Sequence, residues 1–268
     1  MNKLFILFLV LLISLNFCFA QNNLGPRLTA MGNNSAAVKD IWSLNGNISG
    51  ISYLESPTVA INYTKYLIDN ELSNQSIAFV LPLKNNYLGV SFNRYGIAAY
   101  NEIKAGFALA KRFGKKLSIA IKGNYHQLKI SNYGSTTGFS VDVGAMYDLN
   151  EQITLGVSLN NPSFQKYSSR EIETKIPSTI QVGASYKASD KILIATTISK
   201  DFNAAIDVGL GIDYKLLDLI SLRGGLTAKP FKHYAGFGLN YKKFVMDMAV
   251  ESDSHLGYTP QLALTYAF

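Results

Sequence analysis

From Pro57 to Phe268 the chain repeats one device: about ten residues that alternate apolar with small or polar, then a turn. Strict alternation places successive side chains on opposite faces of a strand, and ten residues is the length a tilted strand needs to cross a bilayer. The alternation predicts fourteen strands, near 57–66, 73–82, 86–95, 100–112, 116–130, 137–148, 151–160, 177–188, 190–200, 205–215, 218–227, 232–242, 243–252 and 258–268. The number is even, as single-chain bacterial barrels require.

The two faces are unlike. One parity is apolar, as in Ile153, Leu155, Val157 and Leu159, in Ile206, Val208, Leu210, Ile212 and Tyr214, and in Phe244, Met246, Met248 and Val250. The other carries Gly, Ser, Asn and most mid-strand charges, among them Lys104, Lys122, Asp142, Asp207, Asp213, Arg223 and Asp247. A soluble sandwich hides its apolar face and shows long charged side chains to water. Here the polar face is too poor in Lys and Glu for a solvated surface and too rich in Gly for a second core. It suits a lumen that something must fill. The chain after residue 20 offers no apolar run near the roughly 18 residues of a helical span, so a membrane would be crossed by strands.

The connections support this reading. Lys84 to Asn86, Phe113 to Lys116, Leu149 to Gln152, Ala188 to Lys191, Leu216 to Leu219 and Lys242-Lys243 are tight, whereas the alternate set is on average longer and includes "NNPSFQKYSSREIETKIP". Outer-membrane barrels show this asymmetry, with short turns on the periplasmic side. The last segment, "YTPQLALTYAF", places Leu262, Leu264, Tyr266 and Phe268 on one parity, toward lipid. With the terminal aromatic, Leu264, Tyr266 and Phe268 resemble the signal that barrel-assembly machinery recognises.

"MNKLFILFLVLLISLNFCFA" combines Lys3, an apolar run from Leu4 to Leu15, and small residues Cys18 and Ala20 before a cleavage point. It reads as a secretory signal over residues 1–20. The single cysteine, Cys18, lies inside it, so no disulfide or cysteine-based metal site is expected afterwards. The formal charge of +7 comes from lysines at strand ends and turns. They form no stripe with interleaved aromatics, and no nucleic-acid partner is expected.

Residues 21–56 break the alternation. "LGPRLTAMGNNSAAVKDIWSLNGNISGI", residues 24–51, holds the only tryptophan, Trp42. Its apolar residues Met31, Val38, Ile41 and Leu44 set it apart from a disordered leader. The expectation is a hatch inside the lumen, with a short helix over Ser35 to Trp42 capped by Asn34 or Ser35. Trp42 would then be buried in a polar-lined interior, and inward glycines such as Gly209/Gly211 and Gly236/Gly238 would give the hatch backbone room. Arg223 with Asp142, Asp207 and Asp213 would form a lumenal charge network, with Lys39 and Asp40 in reach, because buried charges must be paired.

The stretch from Arg27 to Ile51 resembles the N-terminal signature of the fatty-acid-transporter-like (FadL-like) outer-membrane barrels. Closer still, it is similar to the small PorV/PorQ-like members that accompany the type IX secretion system. The resemblance implies a hatch built on Arg27, Met31, Gly32, Lys39, Asp40, Trp42, Asn45 and Asn47, inside a barrel over residues 57–268. There are two departures. Asn45-Gly46-Asn47 stands where transporters usually have Asn-Pro-Ala, and the chain lacks the long outer loops that build an apolar ligand groove.

No histidine among His126, His233 and His255 has a catalytic context, so no enzyme activity and no cofactor are expected. Glu251, Asp253 and His255 could bind a cation, but an ordinary charged loop is the simpler reading. Two functions remain for a barrel in the outer membrane of a Gram-negative bacterium. The absence of large loops favours an accessory protein that docks on a secretion apparatus or another outer-membrane protein. The alternative is a passive channel for small hydrophobic molecules. A general porin is a third reading, which a hatch would obstruct.

Overall fold

The computed structural model describes residues 23–69, 71–167, 174–254 and 257–268. The signal sequence and His255 lie outside them. Fourteen antiparallel strands form one closed barrel in which each strand pairs with its sequence neighbours and β1 pairs with β14. They are β1 (Thr58–Lys65), β2 (Ser73–Leu83), β3 (Asn86–Gly96), β4 (Tyr100–Phe113), β5 (Leu117–Ile130), β6 (Gly134–Asp148), β7 (Ile153–Asn160), β8 (Thr179–Ser189), β9 (Ile192–Asp201), β10 (Ile206–Lys215), β11 (Ile220–Ala228), β12 (Phe231–Tyr241), β13 (Phe244–Asp253) and β14 (Gly257–Ala267). Closure removes the free edges that an open sheet exposes, and it satisfies the backbone within the wall.

The expected register holds. Leu262 and Leu264 lie outward at 46 and 44 % exposure, while Ala263 between them is buried at 1 %. Leu264 faces Ile61 across the seam, and Ile61 faces Ile77 on its other side, so outward apolar residues meet as cross-strand neighbours. Tyr266 is half-buried between Phe244 and Phe268, with ring centroids 4.7 and 4.9 Å away. The Phe268 amide donates to the Pro57 carbonyl at 2.9 Å. The largest boundary difference is at β6, which begins at Gly134 and not near residue 137; its pairing with β5 runs on to Ile130.

Inside the wall, residues 23–56 form a short helix α1 (Gly25–Ala30) and two 3-10 turns, Ile41–Asn45 and Ile48–Tyr53. The expected helix over Ser35 to Trp42 is not there. Asn34 and Ser35 do not cap a helix, because their side chains donate to the Met31 carbonyl and to Gln181. The Ala36 and Ala37 carbonyls accept from Asn47 and Ser185. The helix forms earlier, with Pro26 in its first turn, where a missing N–H costs nothing. It ends at Gly32, whose φ of 71° suits glycine.

Candidate functional site

The lumen holds the irregular segment and most of the buried charges, and it is the candidate site. The helix α1 packs against β11 to β14, and the two 3-10 turns pack against β2 to β6. Leu28, Met31, Val38, Ile41, Trp42, Leu44, Ile48 and Ile51 are all at most 4 % exposed and form one apolar cluster. The wall meets this cluster with small inward residues: Ala60, Ala78, Ala108, Ala110, Ala120, Ala195 and Ala263. Trp42 is therefore buried among apolar neighbours and not in a polar-lined interior. Its ring lies where a Cβ on Gly25 would be. Its indole nitrogen has no hydrogen-bond partner among the described residues.

Glycines let backbone approach backbone. A Cβ on Gly211 would collide with Met31, one on Gly225 with Gly32, and one on Gly156 with the Ala36 carbonyl. Gly209 faces the Gly32 carbonyl in the same way, whereas Gly236 makes room for the Ala30 methyl and Gly238 for the Arg223 guanidinium beside Asp247.

Side chains then satisfy the irregular backbone, which has no ladder of its own. Asn47 donates to the Ala36 carbonyl at 2.6 Å and to the Ala145 carbonyl of β6 at 3.0 Å, while its oxygen accepts from the Ser49 amide at 3.2 Å. Asn45 donates to the Asn23 carbonyl at 2.7 Å and to Asn93 at 3.1 Å. Lys122, fully buried, donates to the Leu44 carbonyl at 2.6 Å. Ser118 donates to the Ser49 carbonyl at 3.1 Å.

The charges expected to form one network occupy three places. On the inner side, Arg27 reaches Asp40 at 2.9 Å and Asp213 at 3.0 Å. Arg223 reaches Asp247 at 2.6 Å and lies 3.2 Å from Asp213. Burial opposes the charge of Arg27, but Asp213 and Asp40 outweigh it and raise its pKa above the ordinary value. The second place holds Asp142, which accepts from Asn124 at 2.7 Å and lies 3.7 Å from Lys104. Asp207 stands apart at the outer end, where one carboxylate oxygen accepts from the Val208, Ala228 and Lys229 amides. Lys39 pairs with Asp148 at 2.8 Å and lies over the Tyr53 ring; burial and then Asp148 push the Tyr53 phenol upward. Asp40 also caps the turn at Ile41, accepting from the Trp42 amide at 2.9 Å.

The inner network draws on Asp247, an inward acid that the alternation exposes but that pairs with Arg223 only because β11 and β13 flank β12. The cluster of Lys232 with Glu251 and Asp253, at 2.6 and 3.0 Å, was signalled only as an acidic loop. Among the described residues no group of three or more His, Cys, Asp or Glu could hold a metal ion.

Space remains on both sides of this filling. An inner vestibule of about 620 Å³ is lined by Arg27, Lys39, Asp213 and Arg223 together with the inner turns. On the outer side lie two cavities, of about 80 and 190 Å³. The first is lined in part by Asn161, Tyr167, Ile176 and Pro177, the described flanks of the connection after β7, where Asn161 donates to the Ile176 carbonyl at 2.9 Å and Ile176 is buried. Nothing in the alternation signals that these flanking residues turn inward.

No family model and no curated protein sequence matches the chain. Solved structures match its fold. CymD, a monoaromatic hydrocarbon channel, superposes with a TM-score of 0.74 at 13 % identity, over 93 % of this chain and 99 % of that one. TodX, the toluene transporter of Pseudomonas putida, gives 0.74 at 10 % identity over 91 and 98 %. A Pseudomonas aeruginosa FadL homologue gives 0.60 at 11 % identity over 92 and 98 %. These neighbours are transporters and channels rather than enzymes. The chain thus has the fold of the FadL-like hydrocarbon transporters, built as a closed barrel of fourteen antiparallel strands.

Proposed function

We propose that this protein is a passive channel for small hydrophobic molecules in the outer membrane of a Gram-negative bacterium, closed in the described state by residues 23–56. The observation that carries the reading is the superposition on CymD and TodX over more than nine tenths of every chain involved. The outward apolar belt supports the membrane setting, since lipid is the solvent in which such a face is stable. The secretion-accessory reading gains nothing from these neighbours, which favour the channel. An open aqueous porin is disfavoured because the lumen is filled.

Passage requires the filling to shift. The apolar cluster between the outer cavities and the inner vestibule is buried, and the segment is tied to the wall by side-chain hydrogen bonds such as those of Asn45, Asn47 and Ser118 and by the ion pairs of Arg27 with Asp213 and Lys39 with Asp148. A neutral bond of this kind is worth about 0.5–1.5 kcal/mol net and a charged one more, so passage calls for a local displacement driven by a ligand's binding energy.

The test uses vesicles with a lipopolysaccharide outer leaflet, which slows apolar solutes more than phospholipid does. Toluene uptake should be faster with the protein than without it, and equal rates would overturn the channel. In planar bilayers the intact protein should pass little ion current. Deleting residues 28–44 should open a steady conductance; an unchanged current would mean that this segment does not close the lumen.

A further inference from the structure

Several lysines at the inner end of the barrel have a carboxylate of their own. In the turn after β8, Lys187 meets Asp190 at 2.7 Å; in the turn after β10, Lys215 meets Asp218 at 2.9 Å. The turns after β2 and β4 differ. Residues 83–87 and 109–119 hold Lys84, Lys111, Arg112, Lys115 and Lys116 and no Asp or Glu. Among the described residues, none of these cations forms an ion pair. Arg112 is taken up by the enclosed segment, its guanidinium 4.5 Å from the centroid of the Tyr53 ring. Lys84, Lys111, Lys115 and Lys116 are exposed.

The fold sets these two turns side by side at the edge of the apolar belt. Asn86 pairs with Lys111 across β3 and β4, and the Arg112 amide donates to the Asn85 carbonyl at 2.9 Å. Lys111 lies on the lipid-facing parity of β4, between Leu109 and Phe113, which are 48 and 47 % exposed, and opposite Ile119 of β5. A lysine so placed lays its stem along apolar neighbours and carries its ammonium to the headgroup level. Its Nζ is 5.4 Å from the centroid of the Phe113 ring. Leu83, exposed at the end of β2, leads into Lys84 in the same way. Like charges gathered without a counter-charge build a local positive potential. Where that potential borders hydrocarbon, the anion that suits it best carries an acyl chain. Lysine ammoniums suit phosphate oxygens as mobile point charges, and a zwitterionic headgroup, which brings an ammonium of its own, gains less.

We infer that the turns after β2 and β4 form a binding site for an anionic phospholipid of the inner leaflet, with Lys84, Lys111, Lys115 and Lys116 around the phosphate and Leu83, Leu109 and Phe113 against the acyl chains. The bound lipid supplies the counter-charge that the turns after β8 and β10 carry in their own sequence. The inference does not depend on the channel reading; it needs only the barrel in a membrane with its tight turns on the periplasmic side.

The test is a titration of the protein in non-ionic detergent with phosphatidylglycerol and with phosphatidylethanolamine of identical acyl chains, read as retained lipid by native mass spectrometry. Phosphatidylglycerol should be retained at concentrations about fivefold lower or less. The triple variant Lys111→Gln, Lys115→Gln, Lys116→Gln should remove that preference. The triple variant Lys187→Gln, Lys191→Gln, Lys215→Gln, an equal loss of charge at the turns after β8 and β10, should keep it. Strand content in lipid checks that each variant folds, and Lys111→Gln alone, expected to weaken the preference, stands in should the first triple variant fold poorly. Equal retention of the two lipids by the unaltered protein would overturn the inference. So would a preference that survives the first triple variant, or one lost as fully in the second, since that reports net charge alone. Release of the bound lipid by inorganic phosphate would reassign the turns to a free anion, and release by poly-glutamate to an acidic protein; either result overturns the lipid site.

Discussion

In the wall, Ile61 meets Leu264 on one side and Ile77 on the other, and every residue of β1 has a cross-strand partner in a regular ladder. In the segment that the wall encloses, Asn47 alone serves the Ala36 carbonyl and the Ser49 amide, which no ladder reaches, and ties them to the Ala145 carbonyl of β6. The wall is stabilised by repetition: any one rung is replaceable because its neighbours hold the same register. The segment is stabilised by particular side chains at particular points, with an apolar cluster between them. A repeated structure tolerates conservative exchange on its lipid face, while an irregular one concentrates its stability in a few contacts. On the channel reading proposed above, the segment that has to move is the irregular one.

Substitutions can break this comparison, and the readouts separate the two regions: strand content for the wall, and acrylamide quenching of the single tryptophan, Trp42, for the segment. The largest effect is expected from Arg223→Leu. It leaves Asp247 buried without its partner and removes one of the two arginines at Asp213, and breaking a buried pair costs about 3–5 kcal/mol. Both readouts should shift at lower urea than in the unaltered protein. A urea midpoint unchanged within error would show that the inner network is not structural.

Next is Leu264→Arg on the lipid face, expected to cost roughly 2–4 kcal/mol if the site lies near the midplane. Thr265→Lys, on the opposite parity, should be far milder. This pair loads the wall alone, so strand formation in lipid should fall while Trp42 quenching of the folded fraction stays as it was. Equal damage at both sites would mean that the register is wrong.

The smallest contrast uses two glycines of opposite parity. Gly211 abuts the Met31 backbone, whereas a Cβ on Gly123 would find no atom within 4 Å. Gly211→Val should cost about 1–3 kcal/mol through overpacking and make Trp42 more quenchable. Gly123→Val should leave both readouts unchanged, since a β-branched residue suits an outward strand position. If both were silent, the close contact between Met31 and β10 would not exist in solution.

Much of the wall was legible because its rule is local. Period-two alternation states which residues face lipid, and turns of two to four residues fix antiparallel neighbours, so the fourteen strands and their order follow without knowledge of anything distant. The chemistry of the inward face was legible too, as a face rich in glycine and short polar residues that a filler must meet. What the filler does with that face was not. Asp142, Asp207 and Asp213 look alike along the chain, yet one joins Lys104, one caps a turn and one bridges two arginines. The helix fell at Gly25–Ala30 and not at Ser35 to Trp42. Those outcomes depend on which groups meet across a closed barrel, at sequence separations of more than a hundred residues for contacts such as Lys39 with Asp148 and Arg27 with Asp213. The inward placement of Asn161 and Ile176 after β7, beside the smaller outer cavity, is of the same kind. By itself the sequence determined the wall, because a strand's pattern is complete within ten residues. Only the tertiary structure decided the contents of the lumen, because an irregular backbone takes the shape that its partners' donors, acceptors and empty spaces allow.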